Sequence, residues 1–216
     1  LHCCEAMITG KGNKGIISVA PGGMPQRERF SIAHELGHWA HHRGETVACR
    51  AIDIGKFSNT DHVERAADQY AANLLMPLSM FRIACREHRR LDLKSLKAVA
   101  SVFNTSQTAT LIRMIDSGLY PTAMMISHGA GGRKWHRAAD GIPGYWFPKA
   151  DLDAESFAFD LLHNANSQDQ SFPRRIGADA WFDNWAAPKY QVTEQSFRVP
   201  GEGVVTILLL DPGMIG

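Results

Sequence analysis

With 216 residues, 44% apolar and 21% charged, the chain has enough apolar material for one large domain or two small ones. A formal charge of +1 gives no general drive toward nucleic acid or anionic lipid, and no apolar run is long enough to span a membrane. The four cysteines (Cys3, Cys4, Cys49 and Cys85) form neither a paired metal-ligand spacing nor a disulfide framework, so reduced thiols are expected. The start shows no basic region followed by an apolar stretch, and the expected location is the cytoplasm.

In chain order, the β-branched run from Gly15 to Ala20 between glycine-rich flanks predicts a strand, broken by Pro21-Gly22-Gly23. Pro25 suits the first turn of a helix that carries Phe30, Ala33, Leu36, Gly37 and Ala40 at near-helical spacing and ends at Gly44. A polar stretch from Glu45 to about Thr60 follows. Val63, Ala66, Ala67, Tyr70, Ala71, Leu74 and Leu75 then predict a second long helix, stopped by Pro77. Further helices are expected over Ser79 to Arg90, Leu93 to Phe103 and Ser106 to Asp116, the last opened by Thr105-Ser106 as caps. Gly118 and Pro121 mark a change to a Gly-, Trp- and Phe-richer half with short strands such as Ala123 to Ser127, Gln191 to Val199 and Val204 to Leu210. The fold class expected is α+β, in three parts: residues 1–90, a helical segment over 91–120, and a smaller α+β domain over 121–216.

The chemistry concentrates in His34-Glu35-Leu36-Gly37-His38. On a helix, positions i and i+4 lie one above the other, so both imidazoles can reach one metal ion. Glu35 stands beside them, where a carboxylate can take a proton from a metal-activated water, as in zinc peptidases. A catalytic zinc ion needs a third protein ligand. Extension in the metzincin manner would require Gly at position 41 and His at position 44; the chain has His41 and Gly44, which excludes it. His41 and His42 could supply a ligand from the same helix, although three ligands on one straight helix surround a tetrahedral ion poorly. Glu64, near the start of the next helix, is the other candidate. Asp68, four residues on and on the same face, could accept a hydrogen bond from the ring of His34 and fix its tautomer. The competing reading makes Asp61 and Glu64 a capping-box-like pair and Asp68 a solvated acid.

Arg29-Phe30-Ser31-Ile32-Ala33-His34-Glu35-Leu36-Gly37-His38, followed by Glu64-Arg65-Ala66-Ala67-Asp68-Gln69-Tyr70-Ala71-Ala72-Asn73-Leu74-Leu75-Met76-Pro77, resembles the ImmA/IrrE family of zinc metallopeptidases. Tyr70 stands where that family usually has Phe. Ala100, Phe103 and Asn104-Thr105-Ser106 resemble the turn of a helix-turn-helix that the family carries behind its catalytic part. The resemblance implies a gluzincin-like site with His34, His38 and Glu64 as Zn2+ ligands, Glu35 as base, and residues 1–90 as a zincin-like metallopeptidase domain. It further implies a protein substrate, a helix-turn-helix transcriptional repressor; from charge and composition no membrane partner and no direct hold on nucleic acid are expected. The strand from Gly15 to Ala20 is a candidate edge for an extended substrate segment. His62, Tyr70, His128 and His136 are all conceivable oxyanion donors, each with a structural reading beside it.

Two other functions compete. Arg82, Arg86, Arg89, Arg90, Lys94 and Lys97 around the helical turn suggest a DNA-binding regulator, but the helix that would enter a groove offers mainly Arg113. A zinc-holding or sensory module without peptidase activity would close its metal shell with four protein ligands, and would have no need of Glu35.

Overall fold

The computed structural model describes residues 6–11, 13–41, 62–164, 167–201 and 203–215. Among them the fold is α+β, with six α-helices and two antiparallel sheets. The helix end expected at Gly44, the polar stretch from Glu45, His42, Asp61 and three of the four cysteines lie outside the described residues. The chain divides into two compact units, residues 1–84 with 99–110, and residues 85–98 with 111–216.

The first unit opens with a hairpin of β1 (Ala6–Lys11) and β2 (Lys14–Val19), paired from Ala6↔Val19 to Lys11↔Lys14. Residues two apart share a face, so Gly10 and Gly15, directly opposite each other, lie on one side of the hairpin. The indole of Trp39 fills the space there: a Cβ on Gly10 would meet the ring at 2.2 Å, and one on Gly15 at 3.3 Å. Trp39 belongs to α1 (Pro25–His41), which has Pro at its first position and Glu28 in its first turn, both suited to a helix start.

The second long helix, α2 (His62–Leu75), lies against α1 along a seam of small residues. Ala33, Ala67 and Ala71 are buried there, and Gly37 touches the other helix's backbone. A Cβ added at Gly37 would stand 2.8 Å from Ala67 Cα and 3.0 Å from Ala67 O. Beyond Pro77 come α3 (Leu78–Arg86), α4 (Leu93–Phe103) and α5 (Gln107–Asp116). The helix expected to run to Arg90 stops at Arg86. Asn104 has φ 49°, the left-handed conformation that ends many helices. Arg29 Nη1 donates to the carbonyls of Phe103 (3.0 Å) and Asn104 (2.6 Å), so a cation satisfies the bare C-terminus of α4. Ser106 Oγ accepts from Ala109 N at 3.1 Å, which is the capping expected from the sequence.

The second unit is built on a five-stranded sheet in the order β4-β3-β7-β6-β5, from β3 (Ala123–Gly129), β4 (Gly132–Ala138), β5 (Arg174–Gly177), β6 (Gln191–Val199) and β7 (Gly203–Leu209). A short helix, α6 (Phe157–His163), packs on it, N-capped by Ser156. Strand β3 is buried at every position, as a central strand should be. One face is unusually polar inside: Glu194 is fully buried and accepts from Arg174, from Trp181 Nε1 and from Phe157 N, while Ser196 and Thr206 bond each other at 2.8 Å.

The Gly37 contact sets up an opposition of effects. Gly37→Ala should gain about 1 kcal/mol of helix propensity. It should also overpack a backbone contact at a cost of about 1–3 kcal/mol. The expected balance is a lower midpoint in urea unfolding; an unchanged or higher midpoint would show that the seam has slack.

Candidate metal centre

Three side chains from two helices converge. His34 and His38 of α1 bring their Nε2 atoms to 2.9 Å of each other. Glu64, in the first turn of α2, places Oε2 at 3.1 Å from His34 Nε2 and Oε1 at 3.5 Å from His38 Nε2. All three are buried, at 0%, 3% and 7% exposure. Asp68, one turn beyond Glu64, puts Oδ1 at 2.9 Å from His34 Nδ1. With a carboxylate on that side, the proton of a neutral His34 sits on Nδ1 and its Nε2 lone pair faces the cluster.

These donors fit a metal ion. Ligand atoms about 2.0–2.2 Å from a tetrahedral ion stand roughly 3.3–3.5 Å apart. The observed separations, 2.9 to 3.5 Å, lie close to that spacing. Two imidazole lone pairs and a carboxylate oxygen, out of water, form a set suited to a borderline-soft divalent cation.

Glu35 is 2% exposed and sits beside His34 in sequence. Its Oε2 accepts a hydrogen bond from the backbone N–H of Ile8 on β1 at 3.0 Å, whereas Oε1 is buried with no hydrogen-bond partner among the described residues. Burial pushes the Glu35 pKa above its ordinary value, against the opposing pull of His34 and the Ile8 amide. For His34, burial favours the neutral ring. The Asp68 hydrogen bond and the charges of Asp68, Glu64 and Glu35 together outweigh it, and the pKa is raised.

The remaining candidates separate cleanly. His41 is exposed and sets its ring edge-on to Tyr70 at 5.8 Å, away from the cluster. His62 is exposed and lies against Arg65. His128 and His136 belong to β3 and β4 of the second unit. Arg113 is 6% exposed, which leaves little of it to meet a base edge. The sequence reading did not include Ile8. Its contribution is a backbone amide, which no residue letter records. The strand edge that meets Glu35 is that of β1, not of β2, which the sequence singled out.

The family model described as the IrrE N-terminal-like domain, a peptidase family, matches residues 6–114. The chain belongs to this family. No curated protein matches the chain. The matched region contains α1 and α2 with all of the clustered residues, so the His34–His38–Glu64 group lies within a metallopeptidase domain and is compatible with a metal site. Among the described residues no helix is long and apolar enough to cross a membrane.

A proton on His34 competes with a cation for the same nitrogen. In the metal-free protein the raised pKa shifts the ring toward protonation, so a metal taken up there would displace protons and its apparent affinity would fall as the pH is lowered. Adding zinc to the metal-free protein in weak buffer near neutral pH should acidify the solution. Uptake without proton release would contradict this protonation state.

Proposed function

We propose that this chain is a zinc-dependent endopeptidase that hydrolyses a peptide bond in a cytoplasmic protein partner, a helix-turn-helix transcriptional repressor. The observation that carries the reading is the Glu64 carboxylate, 3.1 and 3.5 Å from the Nε2 atoms of His34 and His38, with the half-engaged carboxylate of Glu35 alongside. In this reading His34, His38 and Glu64 hold the ion, Asp68 orients His34, and Glu35 is the base. Residues 1–90 carry the peptidase machinery, residues 91–120 the helix-turn-helix-like segment, and residues 121–216 a separate α+β part.

Zinc, when bound, supplies Lewis acidity that polarises the scissile carbonyl and makes water a nucleophile near neutral pH. The protein's residues manage the protons and the geometry. Asp68 keeps the His34 proton on Nδ1 and so keeps Nε2 available. Glu35 removes a proton from the attacking water through its uncommitted Oε1 and delivers it to the leaving amide nitrogen. A raised pKa suits both halves of that transfer, since the group must gain and lose a proton near the working pH. Before substrate pairs with β1, the Ile8 amide holds Oε2 and leaves Oε1 uncommitted. The edge of β1 beside Glu35 gives an extended substrate segment a backbone to pair with.

Substitutions separate the roles. Glu35→Gln should keep metal at parent stoichiometry by elemental analysis while cleavage falls at least about 100-fold. Asp68→Asn should keep the fold and weaken zinc affinity by about 10- to 100-fold in a chelator competition. Candidate repressors encoded beside the gene, incubated with the protein with and without chelator, test the substrate. Cleavage that survives chelation would sink the metal mechanism, and cleavage by Glu35→Gln at the parent rate would remove Glu35 as base.

A further inference from the structure

The second unit contains a group of buried polar atoms that neither the metal centre nor the sheet's own bonding uses. His128 on β3 and Arg133 on β4 are directly opposed partners at the turn end of the β3–β4 hairpin, next to an irregularity in register between Ser127 and His128. Such bulges re-aim side chains and recur beside binding sites. His128 is 1% exposed, yet neither its Nδ1 nor its Nε2 meets a hydrogen-bond partner among the described residues. The buried Nη1 of Arg133 meets none either. Buried polar atoms are nearly always satisfied, so three unsatisfied ones on two facing residues call for a ligand chemistry that completes them.

We propose that His128 and Arg133 form a binding site for a small oxyanion, such as the carboxylate or phosphate group of a small molecule. Arg133 offers N–H donors in a planar fork, the geometry that suits an oxyanion. Its guanidinium lies over the ring of Phe147, 4.3 Å from the centroid, and the ring of His136 meets that of Phe147 edge-on at 4.8 Å. The ring of Trp181 lies 6.0 Å from that of His128. Phe147 is 56% exposed, so the aromatic cover lies at the surface, where a small molecule can enter.

The local electrostatics have the right sign. Burial, then the charge of Arg133, pushes the His128 pKa down to about 4, and the same two causes lower that of His136. Burial first, and the nearby cation second, thus hold the His128 ring neutral at pH 7, with little negative charge to offset them. The one acid felt at His128 is Asp151, which acts in the opposite direction and less strongly than Arg133. An anion at Arg133 would satisfy Nη1 and accept from whichever His128 nitrogen carries the proton. This inference stands independently of the peptidase reading, since every residue in it belongs to the second unit.

The test is a titration of the full chain with sodium acetate and, separately, inorganic phosphate, at ionic strength held constant with sodium chloride. The readout is the nitrogen and proton resonances of the histidine rings, with His128 assigned by the signals missing in His128→Asn. A saturable shift of the His128 resonances is expected, with exposed His163 unmoved. Acetate alone would identify a carboxylate site, and phosphate alone a phosphate site. Arg133→Gln should weaken the response by about tenfold or more, the loss expected for a hydrogen bond to a charged group. Phe147→Ala, at a mostly exposed position, should fold and weaken binding more mildly. No saturable shift with either anion on the parent protein overturns the site, whatever becomes of the variants. So does a folded Arg133→Gln that responds like the parent.

Discussion

The distance between α1 and α2 at Gly37 and Ala67 controls everything at the metal centre. Gly37 lies between His34 and His38 in sequence, and Ala67 between Glu64 and Asp68, so this close backbone contact of the two helices falls amid all four side chains. A metal shell tolerates only a few tenths of an ångström in its donor positions. A carboxylate on one helix can meet two imidazoles on the other at such spacing only if the helices approach closely. Small residues on both sides of the seam permit this. Arg29 adds a second constraint, tying the start of α1 to the end of α4 through two carbonyls, which fixes the helix along its length.

The same convergence is electrostatically costly. Glu35, Glu64 and Asp68 are three carboxylates with almost no exposure to water, gathered around two histidines. Burying like charges together is unfavourable unless a cation neutralises them. In the metal-free state these carboxylates draw a proton toward His34 against the burial that opposes it, which is why its pKa is raised. A hydrophobic cluster of equal volume would hold the helices together better. The arrangement is compatible with a divalent-cation site, and under the proposed function part of the stability of the first unit would depend on the ion.

Much of the first unit was legible in the sequence, because its long helices repeat small and apolar residues at helical spacing and its chemistry follows from that spacing. His34 and His38 at i and i+4, and Glu64 and Asp68 at i and i+4, could each be placed on one helix face before any coordinates. That the two faces meet is a matter of tertiary structure, as is the contact of the competing candidate His41 with the ring of Tyr70. Strand β1 was missed, although the Gly12-Asn13 dipeptide between two short runs is a hairpin signal. In the second unit β4 and β5 carry little alternation: Gly-Arg-Lys-Trp-His-Arg-Ala and Arg-Arg-Ile-Gly read as polar loops until the sheet pairs them. The His128–Arg133 pairing depends on a register irregularity, which no periodicity encodes.

The Ile8 amide links recognition to chemistry through a simple exclusion. Ile8 and Ile17 are opposed on the hairpin, and the N–H of Ile8 points away from β2 toward Glu35, so it is available to only one acceptor at a time. A peptide that paired along β1 would offer a carbonyl to this same N–H and compete with the Glu35 carboxylate for it. Losing that donor would remove one of the influences that lower the Glu35 pKa, leaving burial less opposed and the group a stronger base. Under the proposed function, the Ile8–Glu35 hydrogen bond of 3.0 Å and substrate pairing at that position of β1 are therefore alternatives, and the strand that receives the peptide is the one that touches the base.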